Sequence, residues 1–213
     1  MIDKELKILE DLDISSISNE DLSKVIISLG ANQEHIEPFN TGTGLLYWQN
    51  EKEFAEYLKF IFNFESSINS YLEIGCRWGG TFIIVSEILK KKQNKNISLY
   101  ANDIISIQEN LKKYKKNQNF EYFKCDSLKL KENLENVEQI DMIFVDGNHR
   151  YNHVMKDYET ALQLNPKILV FHDISSKACP GSAESWNDIK TKHANTLEIR
   201  ENNFSGGYGI IVL

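Results

Sequence analysis

The chain has 213 residues, with 24 lysines and arginines against 31 aspartates and glutamates and a formal net charge of −7. That length suits one domain with a buried core and is short for two. The acidic balance disfavours non-specific nucleic-acid binding, which needs a basic surface, and no apolar run approaches the ~20 residues that cross a bilayer.

The N-terminal "MIDKELKILEDLD" lacks the apolar stretch of a signal peptide, so the expected location is cytoplasmic, with no membrane and no nucleic acid as partner. Cys76, Cys125 and Cys179 are widely spaced and form no C-x-x-C. They argue against a disulfide framework and against a structural zinc site.

In the first fifty residues, "KELKILEDL" and "NEDLSKVIISLG" carry apolar residues at helical spacing, with Gly30 as a stop. "PFNTGTG" (38–44) reads as a loop, and "NEKEFAEYLKFIFNF" (50–64) as a helix capped by Asn50. From residue 71 the pattern alternates. Strands are predicted at 71–74, 97–102, 120–125, 140–145 and 167–171, and helices at 80–91, 106–116, 128–136, 151–163 and 183–192. Five strand-then-helix units imply parallel strands with helices on both faces. "TLEIREN" and "GYGIIVL", joined through Asn203 to Gly207, read as a hairpin whose last strand is antiparallel. The expectation is therefore an α/β three-layer sandwich with a mostly parallel seven-stranded sheet. It occupies residues 51–213, and residues 1–50 form a helical extension that caps the site or mediates dimerisation, not an independent domain. The lysines at 90–92 and at 112, 113, 115 and 116 read as solvated helix ends.

Ligands of an open parallel sheet bind outside the carboxyl ends of its strands. Polar residues stand at each of those ends here: Glu73, Gly75, Gly79 and Gly80 after the first, Asp103 after the second, Asp126 and Ser127 after the third, "DGNHRY" (146–151) after the fourth, and His172 with Asp173 after the fifth. Any one of them could be a helix cap; five in succession point to a site. In "YLEIGCRWGG" (71–80) the spacing G-x-G-x-x-G is absent and Arg77 stands in place of its second glycine. A glutamate before the turn would repel a pyrophosphate but tolerate a sulfonium or an amino-acid zwitterion. That predicts a nucleoside without phosphates, S-adenosylmethionine being the obvious one.

The order E-x-G-x-x-x-G-G, an acid after strand two, Asp-Ser after strand three and a terminal antiparallel hairpin resembles the class I S-adenosylmethionine-dependent methyltransferases, whose fold is Rossmann-like. The resemblance covers about residues 45–213. More narrowly, "LEIGCRWGGT", "IDMIFVDGNHRYNHVMKDYE", "LVFHDI" with "CPGSAESW", and "GLLYWQNEKEFAEYL" are similar to the metal-dependent O-methyltransferase branch that includes macrolide-sugar methyltransferases and cephalosporin-hydroxylase-like proteins. The resemblance implies that Glu73 and Gly75, with Arg77 and Gly79 in the same turn, meet the methionine part of the cofactor. It places Asp103 on the ribose and Asp126 with Ser127 at the adenine. It gives Asp146 and Asp173, with His172 beside the second, to a divalent metal, usually magnesium, and makes His149 the catalytic base. Asp146 would then also lie at the cofactor and serve catalysis. Where some relatives carry a carboxylate, this chain has His172. The implied acceptor is a small-molecule or sugar hydroxyl, nitrogen acceptors remaining open, and a homo-oligomer fits the role suggested for residues 1–50.

Other residues carry plainer readings. His149 and His153 are four apart, but no glutamate intervenes as in H-E-x-x-H, so His153 reads as an exposed helix residue. Trp78 suits shelter for the cofactor or, as is commoner for an aromatic at a helix start, the core; Cys76 reads as a small filler, and Trp48 with Trp186 as lining for an acceptor pocket. Arg150 and Tyr151 suit substrate contact and capping equally. Two rival functions stand beside the methyltransferase: a nicotinamide-dependent oxidoreductase, against which the missing glycine pattern weighs, and a non-catalytic nucleoside-binding module, which would have no use for Asp146, His149 and Asp173 together.

Overall fold

The computed structural model describes residues 2–30, 44–134, 136–201 and 206–213. Most of the loop expected at 38–44, and residues 203–205 of the terminal connection, lie outside the described residues. Eight α-helices are present among them: α1 (Asp3–Asp11), α2 (Asn19–Ser28), α3 (Glu51–Asn63), α4 (Gly80–Gln93), α5 (Glu109–Asn117), α6 (Leu130–Asn133), α7 (Tyr151–Leu162) and α8 (Pro180–Lys190). The strands are β1 (Ser70–Ile74), β2 (Ser98–Asp103), β3 (Glu121–Lys124), β4 (Met142–Val145), β5 (Ile168–His172), β6 (Thr196–Ile199) and β7 (Tyr208–Val212).

They form one seven-stranded sheet in the order β3-β2-β1-β4-β5-β7-β6. Strands β1 to β5 are mutually parallel, and β7 runs antiparallel to both β5 and β6. The chain order reverses between β1 and β4, so their carboxyl ends flank the crevice where such sheets bind ligands. Side chains of the central strands alternate between two faces, as the strand period of two requires. Tyr71, Phe144, Val170 and Ile210 pack into one core with α1 to α5, while Leu72, Ile143, Leu169 and Ile211 pack into a second with α6 to α8. This is the expected three-layer sandwich.

The helical extension belongs to the first of these cores: Leu9, Leu22, Ile26 and Leu29 are buried in the same cluster as Tyr71 and Phe144. The lysines ending α4 correct the expectation of a solvated end. Lys91 donates to the carbonyls of Glu10 and Leu12, and Lys92 to those of Phe62 and Phe64. Each satisfies carbonyls that the ends of α1 and α3 leave without helical partners. Residues 128–136, expected as one helix, instead contain a 3₁₀ turn over Ser127–Lys129 followed by the single-turn α6. Helix α8 starts at Pro180, earlier than expected, because proline suits a first helical position.

Candidate active site

The site is assembled at the switch point. Gly75 leaves β1 at φ +88°, and a Cβ built there would stand 2.2 Å from the Asp146 carbonyl oxygen and 2.5 Å from the Gly147 Cα. Glycine is therefore required to let the turn after β1 pass against the turn after β4. Backbone bonds lock the two turns to the sheet, Gly75 N–H to Asn102 O at 2.9 Å and Asp146 N–H to Ile74 O at 2.9 Å. Gly79, also at φ +88°, opens α4. Its missing side chain leaves room for Leu111, whose Cγ would be 2.3 Å from a Cβ.

Asp103 holds the glycine-rich turn from the end of β2. One carboxylate oxygen accepts the Arg77 N–H at 2.7 Å and the other the Ile105 N–H at 3.2 Å. Arg77 itself adopts φ 40°. Its guanidinium lies over both tryptophans, 5.2 Å from the Trp48 ring centroid and 4.4 Å from that of Trp78. Trp78 is thus half-buried in an aromatic and cationic stack, and the expectation of a core residue is corrected. At the end of β3, Asp126 accepts the Leu128 N–H at 3.1 Å, and Ser127 is buried beside it.

Glu73 changes one premise of the sequence reading. It is 2% exposed, and the Tyr71 hydroxyl donates to its Oε2 at 2.5 Å. Burial, with added repulsion from Asp146 and Asp103, raises its pKa far above the carboxylate range despite the Tyr71 bond. Burial thus disfavours the charged form of Glu73, so electrostatic selection against a pyrophosphate rests more on the other carboxylates at the strand ends.

The strongest cluster lies at β4 and β5. Asp146 Oδ1 is 3.2 Å from His172 Nδ1, and Oδ2 accepts the Gln49 side-chain amide at 3.0 Å. Gln49 is fixed in turn by the Tyr208 hydroxyl, which donates to its Oε1 at 2.6 Å. Burial disfavours the charge on His172, but Asp146, Asp173 and Glu53 outweigh it and lift the pKa to about 9, so this histidine is an imidazolium at neutral pH. Its Nε2 is buried with no hydrogen-bond partner among the described residues. Asp173 adopts φ 59°, a left-handed conformation rare outside glycine. Its Oδ2 lies 3.7 Å from both His149 Nδ1 and His172 Nδ1. His149, 39% exposed, also has the Ser182 hydroxyl 3.3 Å from Nδ1.

The structure thus brings Asp146, His149, His172 and Asp173 together and ties Asp103 to the turn carrying Gly75, Arg77 and Gly79. Asp126 and Ser127 stand apart at the third strand end. Sequence reading missed Gln49 and Tyr208, whose contact spans 159 positions, and Cys179, which joins His149 and Asp173 in a second cluster. It also missed Asp157, wholly buried with neither oxygen hydrogen-bonded among the described residues. Trp186, expected at the mouth, is 1% exposed and packs where Gly209 leaves space for its ring. Trp48 is exposed.

Comparison with known proteins agrees with this geometry. Residues 72–174 match the sequence model of a family described as a methyltransferase domain. No curated protein matches the sequence. Among solved structures, an O-methyltransferase from Bacillus cereus in complex with SAH superposes with a TM-score of 0.58 at 18% identity, covering 100% of each chain. A TDP-rhamnose 3′-O-methyltransferase of calicheamicin biosynthesis gives 0.59 at 13% identity, covering 97% of this chain and 93% of its own. A methyltransferase of the mycinamycin pathway, bound to Mg, SAH and mycinamycin VI, gives 0.52 at 15% identity over 80% of this chain and 50% of its own. These likenesses show the fold alone, a Rossmann-like one shared with solved methyltransferases.

Proposed function

From the match of residues 72–174 to the model of a methyltransferase domain and the fold shared with solved methyltransferases, we propose that this chain transfers the methyl group of S-adenosylmethionine to a hydroxyl of a small molecule or sugar. One observation carries the reading: Asp103 and Asp146 stand at the carboxyl ends of the two strands that flank β1 and its Gly75 turn, with Asp173 beside Asp146 and Asp126 at the end of the outer strand β3. Carboxylates so placed favour a ligand bearing a sulfonium and an amino group and repel phosphates. The solved relatives bound to SAH, and the one that methylates a TDP-sugar, support cofactor and acceptor class.

S-adenosylmethionine, when bound, supplies a methyl carbon already activated for displacement. The chain's residues must then align the two reactants and ionise the acceptor. The Gly75 turn and Asp103 hold the nucleoside and methionine parts, with Asp126 and Ser127 at the adenine. His149, at the exposed edge of the cluster, takes the acceptor proton on an imidazole nitrogen, and Asp173 stabilises the imidazolium that results. With the cofactor bound, the acceptor oxygen so ionised would take the methyl group, and the electron pair of the broken C–S bond would stay on sulfur. The Asp146–His172 pair, braced by Gln49 and Tyr208, fixes the floor beneath this exchange.

Magnesium is the metal that the resemblance assigns to Asp146, His172 and Asp173, and the mycinamycin-pathway structure contains it. The three residues do lie together. Magnesium requires oxygen ligands, whereas this set includes an imidazole, and both Asp146 oxygens are engaged by Gln49 and His172. The donor set does not fit that ion, and no step is drawn through it.

His149→Ala tests the assignment. Turnover should fall by roughly 10²-fold or more while SAH affinity changes less than about threefold. An equal loss of affinity would place His149 in cofactor binding instead.

A further inference from the structure

We infer that His149, Asp173 and Cys179 form a metal seat of this chain, and that it takes a borderline cation such as zinc in preference to magnesium. One ligand atom from each, an imidazole nitrogen, a carboxylate oxygen and a thiol sulfur, lies within 4.8 Å of the other two. Tetrahedral ligands bound at about 2.0–2.3 Å stand roughly 3.3–3.8 Å apart. His149 Nδ1 and Asp173 Oδ2, at 3.7 Å, are already at that spacing. The three residues come from three rigid points: the turn after β4, the end of β5 and the residue capping α8. His149 is 39% exposed, which gives an ion a path from solvent.

Asp173 is shared with the alternative set of Asp146 and His172, so the two seats compete for one carboxylate. The alternative is closed by its own bonds. A cation there would have to displace the Gln49 amide from Asp146 Oδ2 and His172 from Oδ1, with Gln49 held in place by Tyr208. At the Cys179 seat the thiol must release its proton to solvent against a pKa that burial and Asp173 raise to about 11. Its hydrogen bonds to Ser176 and Asp173 give way, and so do the 3.3 Å contact between Ser182 and His149 and the 3.7 Å contact of Asp173 with His172. Thiolate and imidazole ligands select zinc, cobalt or a similar ion over magnesium, which demands oxygen. The binding itself is independent of the methyltransferase reading; a neutral imidazole that ligates through Nδ1 keeps its proton on Nε2, so the occupied seat and the role of His149 as base are alternative states of that residue.

The test is an anaerobic titration of the metal-stripped full chain with cobalt(II), followed by its near-ultraviolet absorption. A thiolate-to-cobalt charge-transfer band should grow to one equivalent, bleach on adding zinc, and persist in a large excess of magnesium. Cys179→Ser should remove the band, while Cys125→Ser retains it. His149→Ala, which leaves the thiol in place, should weaken cobalt binding by at least about tenfold. The inference is overturned by cobalt binding without the band, a band that survives Cys179→Ser, bleaching by magnesium, or unchanged affinity in His149→Ala. SAH binding measured on the same sample separates the two ideas: if it persists while the band is missing, the metal seat fails and the methyltransferase reading stands.

Discussion

Asp157 offers a quantitative test because its position in the fold is costly. It lies on α7 with neither oxygen hydrogen-bonded among the described residues, and Gly147 leaves it space on one side. Burial is the main cause that lifts its pKa from 3.8 to about 6; the Ser127 hydroxyl and His153 oppose the rise, and Asp126 adds to it. A carboxyl whose folded pKa is raised binds its proton more tightly in the native state. Its stabilising contribution is complete below the unfolded value and is lost as pH rises through the folded value. Two units correspond to roughly 3 kcal/mol, so on the order of that much stability should disappear between about pH 4 and pH 7. Asp157→Asn keeps the shape and removes the titration. Urea unfolding of both proteins at each pH isolates the effect, since other carboxyls cancel in the difference. The variant should gain on the wild type steadily from about pH 4 to pH 7 and level off above. A pH-independent difference, or a variant that loses ground as pH rises, would refute the account of Asp157 as a buried acid whose folded pKa is raised.

Two further substitutions probe the crevice. Gly75→Ala forces a Cβ to within 2.2 Å of the Asp146 carbonyl at φ +88°. It should cost at least about 3 kcal/mol by thermal unfolding and abolish detectable SAH binding; near-native stability would mean that the two turns do not abut. Gln49→Ala strips partners from Asp146 and Tyr208 at once, and should lower stability by about 1–3 kcal/mol in urea titrations. A silent substitution would show that the brace on Asp146 is absent in solution.

How much was legible follows from the range of each interaction. Strand and helix alternation is a local pattern, so the parallel sheet, the antiparallel last strand and the polar strand ends could all be read from residues 71 to 213. The resemblance then sorted those strand ends into roles. Gln49 could not be found that way, because its partners arrive from β4 and β7 and only the finished sheet joins them. The upward pKa shift of Glu73 was hidden for a related reason: nothing local shows that the end of β1 is buried. Trp186 was misplaced because nothing local shows that Gly209 stands against its ring. Asp157 did leave a signal. It falls between Val154 and Ala161 on the buried face of α7, where a carboxylate breaks an otherwise apolar stripe.

The central claim is that the Gly75 turn and the carboxylates at the neighbouring strand ends hold S-adenosylmethionine, and calorimetric titration with S-adenosylhomocysteine tests it most directly. Run with and without a chelator, it should show saturable binding to one site in the micromolar range, weakened by at least about tenfold in Asp103→Ala, which removes the carboxylate that holds the turn and, in the proposed reading, the ribose. No heat of binding in either condition, from a chain shown to be folded, would contradict the account.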